Sequence, residues 1–301
     1  MDIAYYTLPE NKRALQRLSL RGHELGSHTV AHALEFNEAA PGSPEVSFRT
    51  YAPQQQITIN GEVRVSKQLL DRDIAGQNTV SFRAGYLAFP PELISILAAA
   101  GYKYDSSFSA NDVLTTFPYF ALPQRQPGAE ESSIIEIPVT FDDALGYLTP
   151  ERRQAAVRQW KQVVKGHAAN ETISVLLVHP SDTRTQTYKL QAQRELMEYA
   201  RSLDAWMGSI REFGDFWRAR HQLRITRVNI TPREAPAEAR LEIHLSRSVD
   251  QLHPWTGLVL PGAARVAVRD ENVQIIDSGG ENVPFTSRTA RGKLYLSLQP
   301  R

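Results

Sequence analysis

The hydrophobic period of this chain changes once, near Leu223, and that change limits the fold more than any other feature. Upstream, short apolar runs alternate with longer helical patterns, as repeated βα units around a mainly parallel sheet require. Downstream, Leu223–Ile230, Leu241–Leu245 and Leu294–Leu298 alternate apolar and polar residues, the period of half-buried strands. Pro261-Gly262 and Gly279-Gly280 mark turns between them. The spacing predicts an α/β domain over residues 1–221 and a small all-β, sandwich-like domain over 222–301. A chain of 301 residues is long enough to bury both cores.

Several elements can be placed within the first domain. Pro90-Pro91-Glu92 opens a helix that runs to Ala100 and stops at Gly101. Thr149-Pro150-Glu151 starts another, with Val157, Trp160, Val163 and Val164 on one face and Gly166 as its end. Thr172–Val178 reads as a buried strand because it leaves little polar surface. A helix is expected over Lys189–Arg201, a short strand over Ala205–Met207, and a last helix from a Ser209 cap to Arg220. Pro41–Ile74 shows no dominant period and reads as a long insertion over the mouth of the domain. In the β domain Trp255 could offer a sugar-stacking face, with packing the favoured role.

Composition excludes several partners. The formal net charge is +1, so nothing marks a nucleic-acid or anionic-membrane surface. The first twenty residues hold no signal-peptide pattern, and apolar runs such as Leu93–Ala100 are too short to span a bilayer, so no membrane span is expected. Cysteine is absent, which excludes disulfides and leaves nitrogen and oxygen as the metal donors.

The chemistry is concentrated in Gly22-His23-Glu24-Leu25-Gly26-Ser27-His28-Thr29-Val30-Ala31-His32. His28 and His32 are four residues apart, the spacing that puts two imidazoles on one face of a helical turn. Neutral imidazole is a common ligand for zinc and related ions, although a solvated helix can carry the same pair. The whole stretch resembles the second signature motif of the polysaccharide deacetylases (NodB-homology, carbohydrate esterase family 4). That resemblance implies metal ligation by His28 and His32.

Further segments follow in the family's order. Ser81-Phe82-Arg83-Ala84-Gly85-Tyr86 is similar to its third motif, with Gly85 where proline is usual. The resemblance implies that Arg83 orients a catalytic aspartate and that the backbone N–H at Tyr86 helps hold an oxyanion. Gly101-Tyr102-Lys103-Tyr104-Asp105-Ser106-Ser107 is also family-like. Leu176-Leu177-Val178-His179 resembles the last motif, in which His179 would be the general acid and Leu177 would line the acetyl pocket. The family's first motif, Thr-Phe-Asp-Asp, should precede Met1. A Thr140-Phe141-Asp142-Asp143 does occur, late, and is read as the fourth-motif region that tunes the catalytic groups. Circular permutation, with Asp142 and Asp143 as base and metal ligand, is the other reading.

The resemblance thus implies an incomplete (β/α) barrel of the NodB type that has lost its first strand. It also implies a metal-dependent hydrolase that removes N-acetyl groups from a chitin-, peptidoglycan- or exopolysaccharide-like glycan. Zinc is the first choice of metal, with cobalt or nickel as alternatives. Two imidazoles without a carboxylate make a poor catalytic site, so this chain is expected to be inactive or impaired. A non-catalytic carbohydrate-binding pseudoenzyme is the alternative. A third reading makes the β domain an interaction module. The family's substrates imply a secreted or cell-envelope location, and no residue pattern speaks to oligomeric state.

Overall fold

The computed structural model describes residues 8–110, 116–123, 126, 128–144, 148–179, 185–231, 240–261, 272–290 and 293–299. They form a mixed α/β molecule that divides into two compact units, Met1–Gly214 and Asp215–Arg301. Among the described residues no helix is long and apolar enough to cross a membrane.

The first described element of this unit is α1 (Pro9–Leu20), started by proline in its first turn. A π-helical turn, Gly61–Val65, leads directly into α2 (Ser66–Asp73). The expectation of an aperiodic insertion over Pro41–Ile74 is therefore corrected. Ile59, Val63, Leu69 and Leu70 are buried and give this segment a helical core face. The rest of the unit contains β1 (Ser81–Phe82), α3 (Leu93–Ala99), β2 (Tyr104–Asp105), β3 (Tyr119–Phe120) and β4 (Ile135–Glu136). These are followed by β5 (Phe141–Asp142), α4 (Arg153–Asn170), β6 (Leu176–Leu177), α5 (Thr187–Ser202) and α6 (Ile210–Gln222), the last crossing into the second unit.

The strands follow one another in parallel. Ser27 bridges Phe82, β1 pairs with β2, β2 with β4, and β5 with β6. A Ser109–Val139 bridge extends the pairing beyond β2 and β4, and β3 lies antiparallel on β4. Among the described residues no pairing joins β6 to the Ser27 segment. Thr172–Val178 is accordingly half-buried, with Val178 37% exposed, and not the buried strand its composition suggested. The reason is its edge: among the described residues β6 pairs with β5 alone.

α4 starts three residues after Pro150, and Thr149 Oγ1 accepts from the Arg152 N–H at 3.3 Å. It runs through Gly166 to Asn170, where Glu171 adopts a left-handed conformation. The expected stop at Gly166 fails because glycine's cost of about 1 kcal/mol is small beside the packing of Val163, Val164 and His167. Ser209 caps α6 as expected: its hydroxyl accepts from Glu212 N–H at 3.2 Å, and the Glu212 carboxylate accepts from Ser209 N–H at 2.8 Å. Ala205–Met207, by contrast, is not a strand. Asp204 turns left-handed just before it, and no partner edge takes it up.

Trp160 is fully buried on α4, its ring centroid 5.6 Å from that of Phe141 on β5. It supports the strand that carries Asp142. Trp160→Ala is expected to cost about 3–5 kcal/mol, measured as a lowered midpoint in urea unfolding.

The second unit has two three-stranded sheets. One is ordered β10 (Val273–Ile276), β8 (Arg240–Leu245), β7 (Ile225–Thr231), and the other β11 (Phe285–Ala290), β12 (Lys293–Leu298), β9 (Gly257–Pro261). Ile243, Leu245, Ile275, Leu294, Leu296 and Leu298 form one apolar cluster between them. Gly280, at φ 88°, makes the turn expected at Gly279-Gly280, whereas Gly262 lies outside the described residues. Trp255 is 45% exposed and leans on His253, so it is not a core residue.

Candidate metal and acid–base site

The residues singled out in the sequence lie where parallel strands end, the usual position of active-site groups in α/β folds. His28 follows the Ser27 bridge, Arg83 follows β1, Asp142 and Asp143 end β5, and His179 lies just beyond β6.

His28 and His32 come together, with ring centroids 4.8 Å apart, but not on a helix. Thr29 and His32 have φ of 64° and 51°, so the chain winds through left-handed positions in a loop. The cause is Glu62, a buried side chain on the π-helical turn. Its Oε2 accepts the N–H groups of Val30 and Ala31, each at 2.8 Å, and its Oε1 accepts the Tyr51 hydroxyl at 2.7 Å. Ser66 and Tyr102 hold the π-helical turn itself by donating to its carbonyls: Ser66 Oγ to Glu62 O at 2.6 Å and Tyr102 OH to Val63 O at 2.9 Å. Sequence reasoning missed Glu62. The signal was an acid on the apolar face of a helix that went unrecognised. Glu62→Ala is expected to destabilise the fold by about 1–3 kcal/mol for each donor it strands, read by urea unfolding. Divalent-metal binding should weaken in the same variant.

His28 Nδ1 lies 2.7 Å from the Arg83 carbonyl oxygen, which fixes a tautomer with Nδ1–H donating and the Nε2 lone pair free. Burial, with nearby positive charge, pushes the His28 pKa down to about 4, and burial also lowers that of His32. Both rings are thus held neutral, the ligand form. A cavity of about 320 Å³ is lined by His28 and Glu24 together with Leu15, Leu25, Leu69 and Leu70.

The segment after β1 closes over His32. Tyr86, at φ 55° and 60% exposed, sets its ring centroid 4.5 Å from that of His32. Gly85 is required there, since a Cβ would stand 2.9 Å from His32 Cδ2. Arg83 points to β2, donating from Nε to Ser106 O at 2.9 Å and from Nη2 to Ser106 Oγ at 2.7 Å. Burial works against its charge, and Asp105, Glu136 and Asp142 offset that cost.

His179 and Asp143 form a second cluster. His179 Nδ1 lies 2.6 Å from Asp143 Oδ1, and the buried Asp143 carboxylate also accepts His179 N–H at 3.1 Å and Gln193 Nε2 at 2.7 Å. Asp142 Oδ1 is 3.7 Å from His179 Nδ1 and accepts Ala144 N–H at 2.8 Å. Leu177 is half-buried on β6, and its carbonyl accepts the Asp143 N–H at 3.2 Å. A positive charge on His179 acts in the same direction as burial on His32.

Among the described residues, Asp142, Asp143 and His179 are the one group of three potential metal donors whose atoms lie within 4.8 Å of one another. The neutral pair His28 and His32 is the other donor set. The 2.6 Å contact and the filled lone pairs of Asp143 favour a hydrogen-bonded acid–imidazole pair over a metal cage at β5. β5 follows β4 along the chain and pairs with β6.

A crystal structure described as that of a "putative polysaccharide deacetylase from Mycobacterium smegmatis" is similar to this chain at a TM-score of 0.48 and 20% identity. The similarity covers 76% of this chain and 73% of the other. No curated protein matches. The family model described as Polysaccharide deacetylase matches residues 5–104, the stretch that holds His28, His32, Arg83 and Tyr86. In residues 5–104, then, this chain is similar to the polysaccharide deacetylases.

Proposed function

We propose that this chain is a metal-dependent carbohydrate deacetylase that hydrolyses N-acetyl groups on a glycan of glucosamine type. The observation that carries the reading is the close pair of neutral imidazoles, His28 and His32, together with a carboxylate-oriented imidazole, His179, each just beyond the end of a parallel pairing. The strand succession from Ser27 to β6 fits a (β/α) barrel with one opening, and the two sheets of the second unit fit a small sandwich over residues 222–301.

His28, through its free Nε2, and His32 would hold a divalent ion, zinc before cobalt or nickel. Such an ion supplies Lewis-acid polarisation of the acetyl carbonyl and a bound water acidified towards neutrality. The protein's own groups do the rest. Asp143 takes the Nδ1 proton of His179 in a hydrogen bond, so the opposite ring nitrogen is free to carry a proton to the departing amine. Leu177 and Tyr86 offer apolar walls for the acetyl methyl. Arg83 holds the end of β2 and brings positive charge near Asp142.

A site with two protein ligands is weaker than the three-ligand sites typical of catalytic zinc. We infer reduced turnover in this chain. A carbohydrate-binding pseudoenzyme is the second reading, favoured by the absence of a His28- or His32-containing three-donor group among the described residues.

Acetate release from chitin oligosaccharides and from peptidoglycan, followed with added zinc, tests the proposal. Slow release from one of them is expected. Glycan binding without any acetate would favour the pseudoenzyme.

A further inference from the structure

Beneath Arg83, two acids are buried side by side. Asp105 on β2 and Glu136 on β4 are register partners in a parallel pair, and both have zero exposure. Asp105 Oδ1 accepts the Ser107 hydroxyl at 2.6 Å, and Glu136 Oε1 accepts the Phe108 N–H at 3.1 Å. The other oxygen of each, Asp105 Oδ2 and Glu136 Oε2, is buried with no hydrogen-bond partner. As register partners on neighbouring parallel strands, the two side chains share one face of the sheet. Two carboxylate oxygens can bond only through a proton. Two full charges buried in contact would also be far costlier than one.

We infer that Asp105 and Glu136 share one proton, and that their single remaining negative charge is the buried counter-charge positioning Arg83. The charge count fits the surroundings. Arg83 is the cation facing the pair, Ser106 and Ser107 supply neutral hydroxyls, and Asp142 is the further acid that interacts with Arg83. Burial raises both acids, as a shared proton requires. The pair leaves Arg83 one charge to neutralise at the floor of the site, where two free carboxylates would overcompensate it. This inference does not rest on the deacetylase reading.

An amide at either position supplies the N–H that the shared proton supplies now, and leaves one carboxylate. Asp105→Asn and Glu136→Gln should therefore each unfold in urea at a midpoint close to the parent's. The double variant, which removes the last negative charge under Arg83, should shift the midpoint down by far more than the two single shifts combined. Infrared spectroscopy of the parent at pH 8 should show the C=O band of a protonated carboxyl, and either single variant should lose it. A parent spectrum without that band at pH 8 would overturn the inference, even if no variant folds. So would single variants as destabilised as the double.

Discussion

Replacing His28 and His32 together by alanine is expected to abolish zinc binding by this chain. The loss should exceed the about 10–100-fold that substitutions behind a metal ligand cost, because both imidazole donors go. The parent offers two neutral rings with centroids 4.8 Å apart, one with its tautomer set by the Arg83 carbonyl. Calorimetric titration of the double variant beside Asp142→Asn/Asp143→Asn separates the two donor sets. The aspartate variant should retain most of the affinity. Binding lost only in the aspartate variant would move the metal to Asp142, Asp143 and His179.

The second large effect is expected at His179. His179→Ala should lower the rate of acetate release by about 10²–10⁴, the usual contribution of a positioned acid, with little change in KM. The ring is held on both sides of its backbone: Asp143 accepts its Nδ1–H and its main-chain N–H. Asp143 is in turn fixed by Gln193 on α5, so the imidazole is oriented before substrate arrives. An unchanged rate with zinc-loaded His179→Ala would remove it from the reaction.

The parts of this site that are near in sequence were legible there, and those joined only by folding were not. The spacing of His28 and His32 implied two rings side by side, as found, yet a helical turn was the wrong geometry. Glu62, thirty residues away, gathers two backbone N–H groups and pulls Thr29 and His32 into left-handed conformations. No local rule reports such an acceptor. Gly85, which departs from the resembling motif, becomes intelligible only when His32 is seen against it. The apolar run Ile173–Val178 looked buried because composition records what a strand could bury, not whether a neighbour covers it. The Asp105–Glu136 pair depends on the register of β2 against β4, which pattern alone does not set. Alternating strands in the second unit were readable because one buried face imposes period two.

The measurement closest to the central claim is acetate release from an N-acetylglucosamine oligomer after chelation and again after zinc is restored. Release that stops with the chelator, returns with zinc and is absent from His28→Ala/His32→Ala is the expected result. Release that survives chelation, or that the double variant retains, would contradict metal-assisted deacetylation at these histidines.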